Sequence, residues 1–288
     1  MHQLQPSRLT DLRSHIGPHP WLLSLVLPEI GGGKATAKDL EQIAERPDAT
    51  AIRISGLDQD TFEHFVSVYG RQFTGIHFWK CPRIADLSPL QDLPQLTHVA
   101  YYWNQRTTRL WDLSATPNLR GLHFEDFRRL NVLNDLAAGS SLEELVFGNA
   151  VWLTSVYATL DPLARLGRLR HLNFSAKSIL DGRIQPLASL TRLESLSFPT
   201  NLFTTEQCAW LRARLPNSTT GRALEPLMKL DKPLVSGKDT LVIGKRKPWL
   251  NSATDRERIA GYEAQFWQLV EDFRVSSSKE PGSRSKPR

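Results

Sequence analysis

One short apolar pattern recurs through this chain: a residue, a second three positions on, and a third two positions after that. Its clearest copies are Leu119, Leu122 and Phe124, then Leu142, Leu145 and Phe147, then Leu169, Leu172 and Phe174, then Leu193, Leu196 and Phe198. Weaker copies come before them: Leu22, Leu25 and Leu27; Ala49, Ile52 and Ile54; Phe73, Ile76 and Phe78; Leu96, Val99 and Tyr101. Counted from the first residue of each copy, the steps are 27, 24, 23, 23, 23, 27 and 24 residues, which makes eight coils. Every position in all three columns is apolar in a chain that is only 40% hydrophobic, so composition alone does not produce the pattern.

Positions four and six of each copy alternate with polar neighbours, the period-two mark of a strand with one buried face. A single such strand cannot bury that face, so successive coils must stack and share one core. Aromatic residues in the third column are expected to form a spine through the stack. A further column, Leu90, Leu113, Leu136, Leu163 and Leu187, is expected to close each coil on the opposite wall.

With these columns in place, and with the run IADLSPLQDLP at residues 84–94, the chain resembles the leucine-rich-repeat family, in its internalin-like short-repeat subclass. The resemblance covers roughly residues 22–217. It implies an α/β fold: a right-handed horseshoe solenoid of about eight coils, with a parallel sheet on the concave side and short helices on the convex side. That family usually carries Asn or Cys at position nine, bonding to the turn backbone. Here the column reads Cys81, Asn104, Phe127, Ala150, Lys177 and Asn201, so irregular turns are expected around residues 127–177.

The ends differ from the middle. Residues 1–21 are read as an N-terminal cap segment. Helical spacing over residues 38–45 and 61–69 predicts convex helices in the first coils. Thr204 with Gln207 forms a capping box ahead of Cys208, Leu211 and Leu215, a terminal helix able to seal the stack. Residues 218–274 form a C-terminal extension with one strand expected at residues 240–243. A helix is expected from Thr254, capped through Glu257, with Ile259, Tyr262, Phe266, Leu269, Val270 and Phe273 in one apolar stripe that must be buried, most simply against the last coils. Residues 275–288 are Ser, Lys and Pro rich and are expected to be disordered.

Charge and cysteine content narrow the chemistry. Residues 1–217 hold 22 Lys and Arg against 21 Asp and Glu, while residues 218–288 hold 14 against 9, so the basic excess lies in the extension. A nucleic-acid footprint would gather on one face of the solenoid instead. Two cysteines, Cys81 and Cys208, make no disulfide framework and no zinc spacing, which points to reduced thiols in a cytoplasm. The run WLLSLVL at residues 21–27 is too short for a membrane span and has no cleavage site after it, so no membrane association is expected.

Positions two, three, five and seven point out of the concave sheet. The candidate partner-binding residues there are Arg53, His77, Trp79, His98, Tyr102, Arg120, His123, Glu125, Glu143, Glu144, Arg170 and His171, with Thr97 and Asn173 in the same rows. Trp, Tyr and Arg are the residues of which binding hot spots are made. Trp79 and Tyr102 hold the same position in adjacent coils, so their rings should be neighbours at the ~4.8 Å strand spacing. His77, His98 and His123 with Glu125 could converge on zinc, but nothing supplies the outer shell that such a site needs, and otherwise they are solvated histidines on a polar sheet. Residues 31–34 (GGGK) fail the phosphate-loop pattern, since Pro28 and Ala35 stand where Gly and Ser or Thr are required. Residues 244–248 (GKRKP) read as a solvated hairpin.

No cofactor and no catalytic residue are expected. The leading expectation is a cytoplasmic, bacterial, non-catalytic module that binds another protein on its concave face, in a specific version an immunity- or inhibitor-like protein masking a toxin or enzyme. The alternatives are nucleic-acid binding through the basic extension and a metal-dependent hydrolase using the concave histidines.

Overall fold

Each coil turns inward where its apolar columns require it. In the computed structural model, which describes residues 21–23, 35–149, 154–276 and 281, the strands are β1 (Trp21–Leu23), β2 (Ala51–Ile54), β3 (Gly75–Trp79), β4 (His98–Asn104), β5 (Gly121–Phe127), β6 (Glu144–Gly148), β7 (Val156–Tyr157), β8 (His171–Phe174), β9 (Ser178–Ile179) and β10 (Ser195–Ser197). Eight of them form one parallel sheet in the order β1-β2-β3-β4-β5-β6-β8-β10. Pairing joins Ile52, Ile76, Val99, Leu122, Leu145, Leu172 and Leu196 into one row, so the second apolar column is in register from β2 to β10. All seven are buried.

The opposite wall is made of single turns of 3₁₀ helix. Leu90, Leu113, Leu136, Leu163 and Leu187 each sit in one, and each is no more than 2% exposed. The third column forms the expected spine: ring centroids lie 5.3 Å apart for Phe78 and Tyr101, 5.5 Å for Phe124 and Phe147, 5.2 Å for Phe147 and Phe174, and 5.5 Å for Phe174 and Phe198. Between Tyr101 and Phe124 the Phe127 ring is inserted, 4.9 Å from one and 5.8 Å from the other. Such pairs add about 0.5–1.5 kcal/mol each beyond their buried area, and here they run along the solenoid axis, tying each coil to the next.

In the fourth coil the turn leaving the strand is held by the position-nine side chain. Asn104 is fully buried: its Nδ2 donates to Ile84 O at 2.8 Å and to the Tyr101 hydroxyl at 2.8 Å, while its Oδ1 accepts from the Arg106 and Thr107 amides at 2.9 and 2.8 Å. Phe127 replaces this network with ring packing, and Asp126 before it keeps the left-handed conformation of Lys80 and Trp103, φ 57° against 53° and 66°. The irregular turn begins one coil later. There Asn149 Oδ1 accepts from the Thr154 and Ser155 amides at 3.1 and 2.6 Å, and the extra length of that coil holds β7, paired in parallel with β9. Gly148 allows this turn. Its φ is 115°, and a Cβ there would lie 2.0 Å from Ser175 O.

A second ladder stands at the other end of the strands. Gln72, Gln95 and Asn118 each precede a first-column residue and donate a side-chain amide to the carbonyls of the coil before, as Gln95 does to Gly70 and Phe73 at 3.1 and 3.0 Å. Ser141 does the same with its hydroxyl, to Leu119 O at 2.8 Å.

The early coils carry helices α1 (Ala37–Leu40), which continues as a 3₁₀ turn at Glu41–Glu45, and α2 (Gln59–Val68). Helix α3 (Thr205–Arg214) opens with the expected Thr204–Gln207 capping box. The extension departs from expectation in two ways. It contains three short antiparallel strands instead of one, β11 (Leu227–Lys229), β12 (Thr240–Val242) and β13 (Trp249–Leu250), with residues 244–248 as the hairpin between the last two. Helix α4 (Arg256–Val275) starts after Asp255, and no Thr254–Glu257 box forms. The Asp255 carboxylate instead accepts from the Asn251 amide at 2.9 Å and pairs with Arg258, closing the turn that enters the helix. Phe266, Val270 and Phe273 are buried, and Arg214 Nη1 of α3 donates to Phe273 O at 2.9 Å, fastening α4 to the capping helix.

The first coil is the other correction. Trp21, not Leu25, stands opposite Ile52, because the run WLLSLVL offers more than one apolar register. Leu25, Leu27, residues 31–34 and nearly all of the Ser-rich tail lie outside the described residues.

Two substitutions test this scheme. Asn104→Ala removes four hydrogen bonds made by one buried amide, leaving the buried Thr107 N–H without its acceptor, and is expected to cost roughly 2–4 kcal/mol in urea denaturation. Gly148→Ala forces a side chain into a left-handed backbone and is expected to cost roughly 1–3 kcal/mol from the backbone alone, before the clash with Ser175, read as a lowered thermal midpoint.

Candidate functional site

The sheet places the outward rows on one face, and the register fixes which residues meet. Trp79 pairs with Tyr102, and their rings stack with centroids 4.6 Å apart at 14°. On β2 the Arg53 guanidinium lies 5.0 Å from the centre of the Trp79 ring, with Lys80 Nζ at 5.2 Å. The Tyr102 hydroxyl is hydrogen-bonded to Asp126; burial, together with the carboxylates of Asp126 and Glu125, pushes its pKa up to about 12, so it is a neutral phenol at every physiological pH. Asp126 in turn accepts from Asn149 Nδ2 at 3.2 Å, which continues the contact line across β3 to β6.

The histidines are not solvated. His77, His98 and His123 are 0%, 2% and 2% exposed. One row runs Gly75, His98, Gly121 and the next Arg53, His77, Ala100, His123, Val146, so His98 lies between two glycines while His77 and His123 share Ala100 between them. His98 Nδ1 bonds the Thr97 hydroxyl at 2.9 Å, and His123 Nε2 meets Glu125 Oε2 at 2.7 Å. Among the described residues no group of three His, Cys, Asp or Glu is arranged to hold a metal ion. Cys81 and Cys208 are buried, and burial raises both thiols to about 12, so neither offers a thiolate nucleophile at neutral pH.

Towards the C-terminal end the same face opens into a groove of about 460 Å³ between β6, β8, β10 and residues 220–222. The chain returns to the sheet there: Leu196 N donates to Thr220 O at 2.8 Å, and Ser195 and Thr220 form an isolated parallel bridge. His171 Nδ1 bonds Ser195 Oγ at 2.9 Å, and Arg170 grips Glu194 through Nε and Nη2 at 2.7 and 2.6 Å, which raises the already high Arg170 pKa. Glu144, in the lining of the groove, is 3% exposed, and its Oε2 has no hydrogen-bond partner.

The sequence-derived candidates thus divide into groups. Arg53, Trp79 and Tyr102 are brought together, as are His123 with Glu125 and Arg170 with His171. Arg120 is exposed, Glu143 is half-buried, and His77, His98 and Glu144 are buried. Glu194, Ser195 and Ser197 were legible as the outward positions of the last copy. Residues 220–222 carry no repeat signal and reach the face only through the chain's return after α3.

No family model matches the chain, and no curated protein does. Among solved structures it is similar to an internalin (InlF) of Listeria monocytogenes at 20% identity and a TM-score of 0.49, over 66% of this chain and 51% of that one. It is also similar to internalin C2 of the same organism, at 19% identity and a TM-score of 0.42, over 65% of this chain and 76% of that one. A third likeness is to the Toll–Spätzle complex of Drosophila, at 13% identity and a TM-score of 0.42, over 62% of this chain and 24% of that one. The chain spans about half the length of the first of these structures. By the geometry of its own coils, a parallel strand on one wall and a 3₁₀ turn on the other joined by leucine columns, the chain has the fold of a leucine-rich-repeat solenoid.

Proposed function

We propose that this chain is a non-catalytic protein-capture module that holds its partner on the concave sheet, from Trp79 and Arg120 towards the groove at β8 and β10. The observation that carries this reading is the Trp79–Tyr102 stack with Arg53 over it. Aromatic and arginine side chains dominate interface energetics, and here their rotamers are fixed before any partner arrives, so little side-chain entropy remains to be lost on binding. Acting without a reaction centre, the module works by what it masks or recruits, and an inhibitor of a toxin or enzyme is the specific form we favour. A reduced cytoplasmic setting is consistent with two buried thiols, and no described helix is long and apolar enough to cross a membrane.

The test is capture from host lysate by two double variants. Trp79→Ala with Arg120→Glu alters the concave face. Gln91→Glu with Arg165→Glu alters exposed positions on the 3₁₀ wall. Proteins retained by wild type and by the second variant, but lost from the first, are the expected result; equal loss from both, or from neither, contradicts the concave site.

A further inference from the structure

We infer that the groove at the C-terminal end of the concave sheet is a receptor for an arginine side chain of the partner, with Glu144 as its anion. This rests on the concave-face reading above and gives that face a chemical specificity.

Glu144 opens β6 at position three of its repeat, its side chain 3% exposed and its Oε2 without a hydrogen-bond partner. A buried carboxylate oxygen left unpaired is costly to the fold, and such groups are rare unless a ligand completes them. Along its row it pairs with Gly121 on one side and His171 on the other. Gly121 has no side chain to supply a donor. The His171 ring is turned to the far side, with Nδ1 on Ser195 Oγ and Nε2 3.7 Å from Glu194. Arg170 lies within electrostatic reach of Glu144, but its hydrogen bonds go to Glu194 in a two-point contact.

A second unpartnered atom lies diagonally across the pairing, on β5. His123 Nε2 meets Glu125 Oε2 at 2.7 Å, and its Nδ1 is buried with no partner, although His123 stands beside the groove and not in its lining. Within the groove the buried Glu144 oxygen calls for a ligand that donates hydrogen bonds in fixed directions. Beyond Glu144 the groove offers the Asn173 and Ser197 side chains, both exposed at position five. A guanidinium presents five N–H donors in a planar fork and brings a positive charge into direct hydrogen-bonding contact, which Glu144 Oε2 does not have. The groove, about 460 Å³, is large enough for one such side chain from a bound protein. Arg222 is on the rim, with Nη1 3.9 Å from Met228 Sδ, and does not reach Glu144.

The experiment titrates the full chain with N-acetyl-arginine-N-methylamide and follows the His171 imidazole and the amides of Ser195 and Gly221 by NMR. The citrulline analogue, equal in shape but neutral, is the control, and both are repeated on Glu144→Gln. Saturable shifts with the arginine probe, at least ten-fold weaker binding of the citrulline probe, and at least ten-fold weaker arginine binding by Glu144→Gln are expected. The unliganded Glu144→Gln protein should melt no lower than wild type, because Oε2 has no hydrogen bond to lose. Equal binding of both probes, no saturable shift, arginine binding unchanged in Glu144→Gln, or a lowered melting point of that variant overturns the assignment. Because the probe needs no partner protein, its failure leaves the Trp79/Arg120 capture result standing and is distinguishable from failure of the concave-face reading.

Discussion

The register of the stacked coils is the constraint on which everything else depends. A strand of three to seven residues has no stability of its own, and each coil buries its inner face only against the coils before and after it. Ile52 through Leu196 pair in a single row, and the Phe and Tyr rings behind them repeat at 5.2–5.5 Å wherever they meet directly. A slip of one residue in any strand would turn both columns outward together, so the aromatic spine specifies register as well as adding contact energy.

The same register builds the outer face. With positions four and six committed to the core, positions three, five and seven must line the concave side, and their order in sequence becomes an order in space. Stacking of Trp79 on Tyr102, the checkerboard of three histidines among Gly75, Ala100 and Gly121, and the isolation of Glu144 beside Gly121 all follow from which residues the pairing sets side by side. Local polarity then decides what each can do. Tyr102 is held as a neutral phenol, Arg170 is held by Glu194, and Glu144 is left as a carboxylate with an empty coordination direction.

How much of this the sequence disclosed depends on whether a residue's role repeats. The three columns and the leucines of the opposite wall were legible because burial imposes the same residue class every coil. The Trp79–Tyr102 stack was legible for the same reason, since equal positions in adjacent coils must meet. The Gln72, Gln95 and Asn118 ladder was not, because one amide per coil leaves no trace in a hydrophobic pattern. Burial of His77, His98 and His123 was also hidden: an outward histidine reads as solvated until the small residues beside it are known. In the extension, strands of two or three residues such as β11 and β13 are too short to show a period, and residues 220–222 reach the groove only through tertiary return. The first coil misled because WLLSLVL is apolar in every register.

The most direct test of the account is amide hydrogen exchange on the full chain, alone and with its captured partner. The account predicts new protection at the outer ends of β3 to β6 and at residues 195–197 and 220–222, with exchange in the 3₁₀ wall and in α4 unchanged. Protection confined to the 3₁₀ wall, to the β12–β13 hairpin or to α4 would contradict it and place the working surface elsewhere on the solenoid.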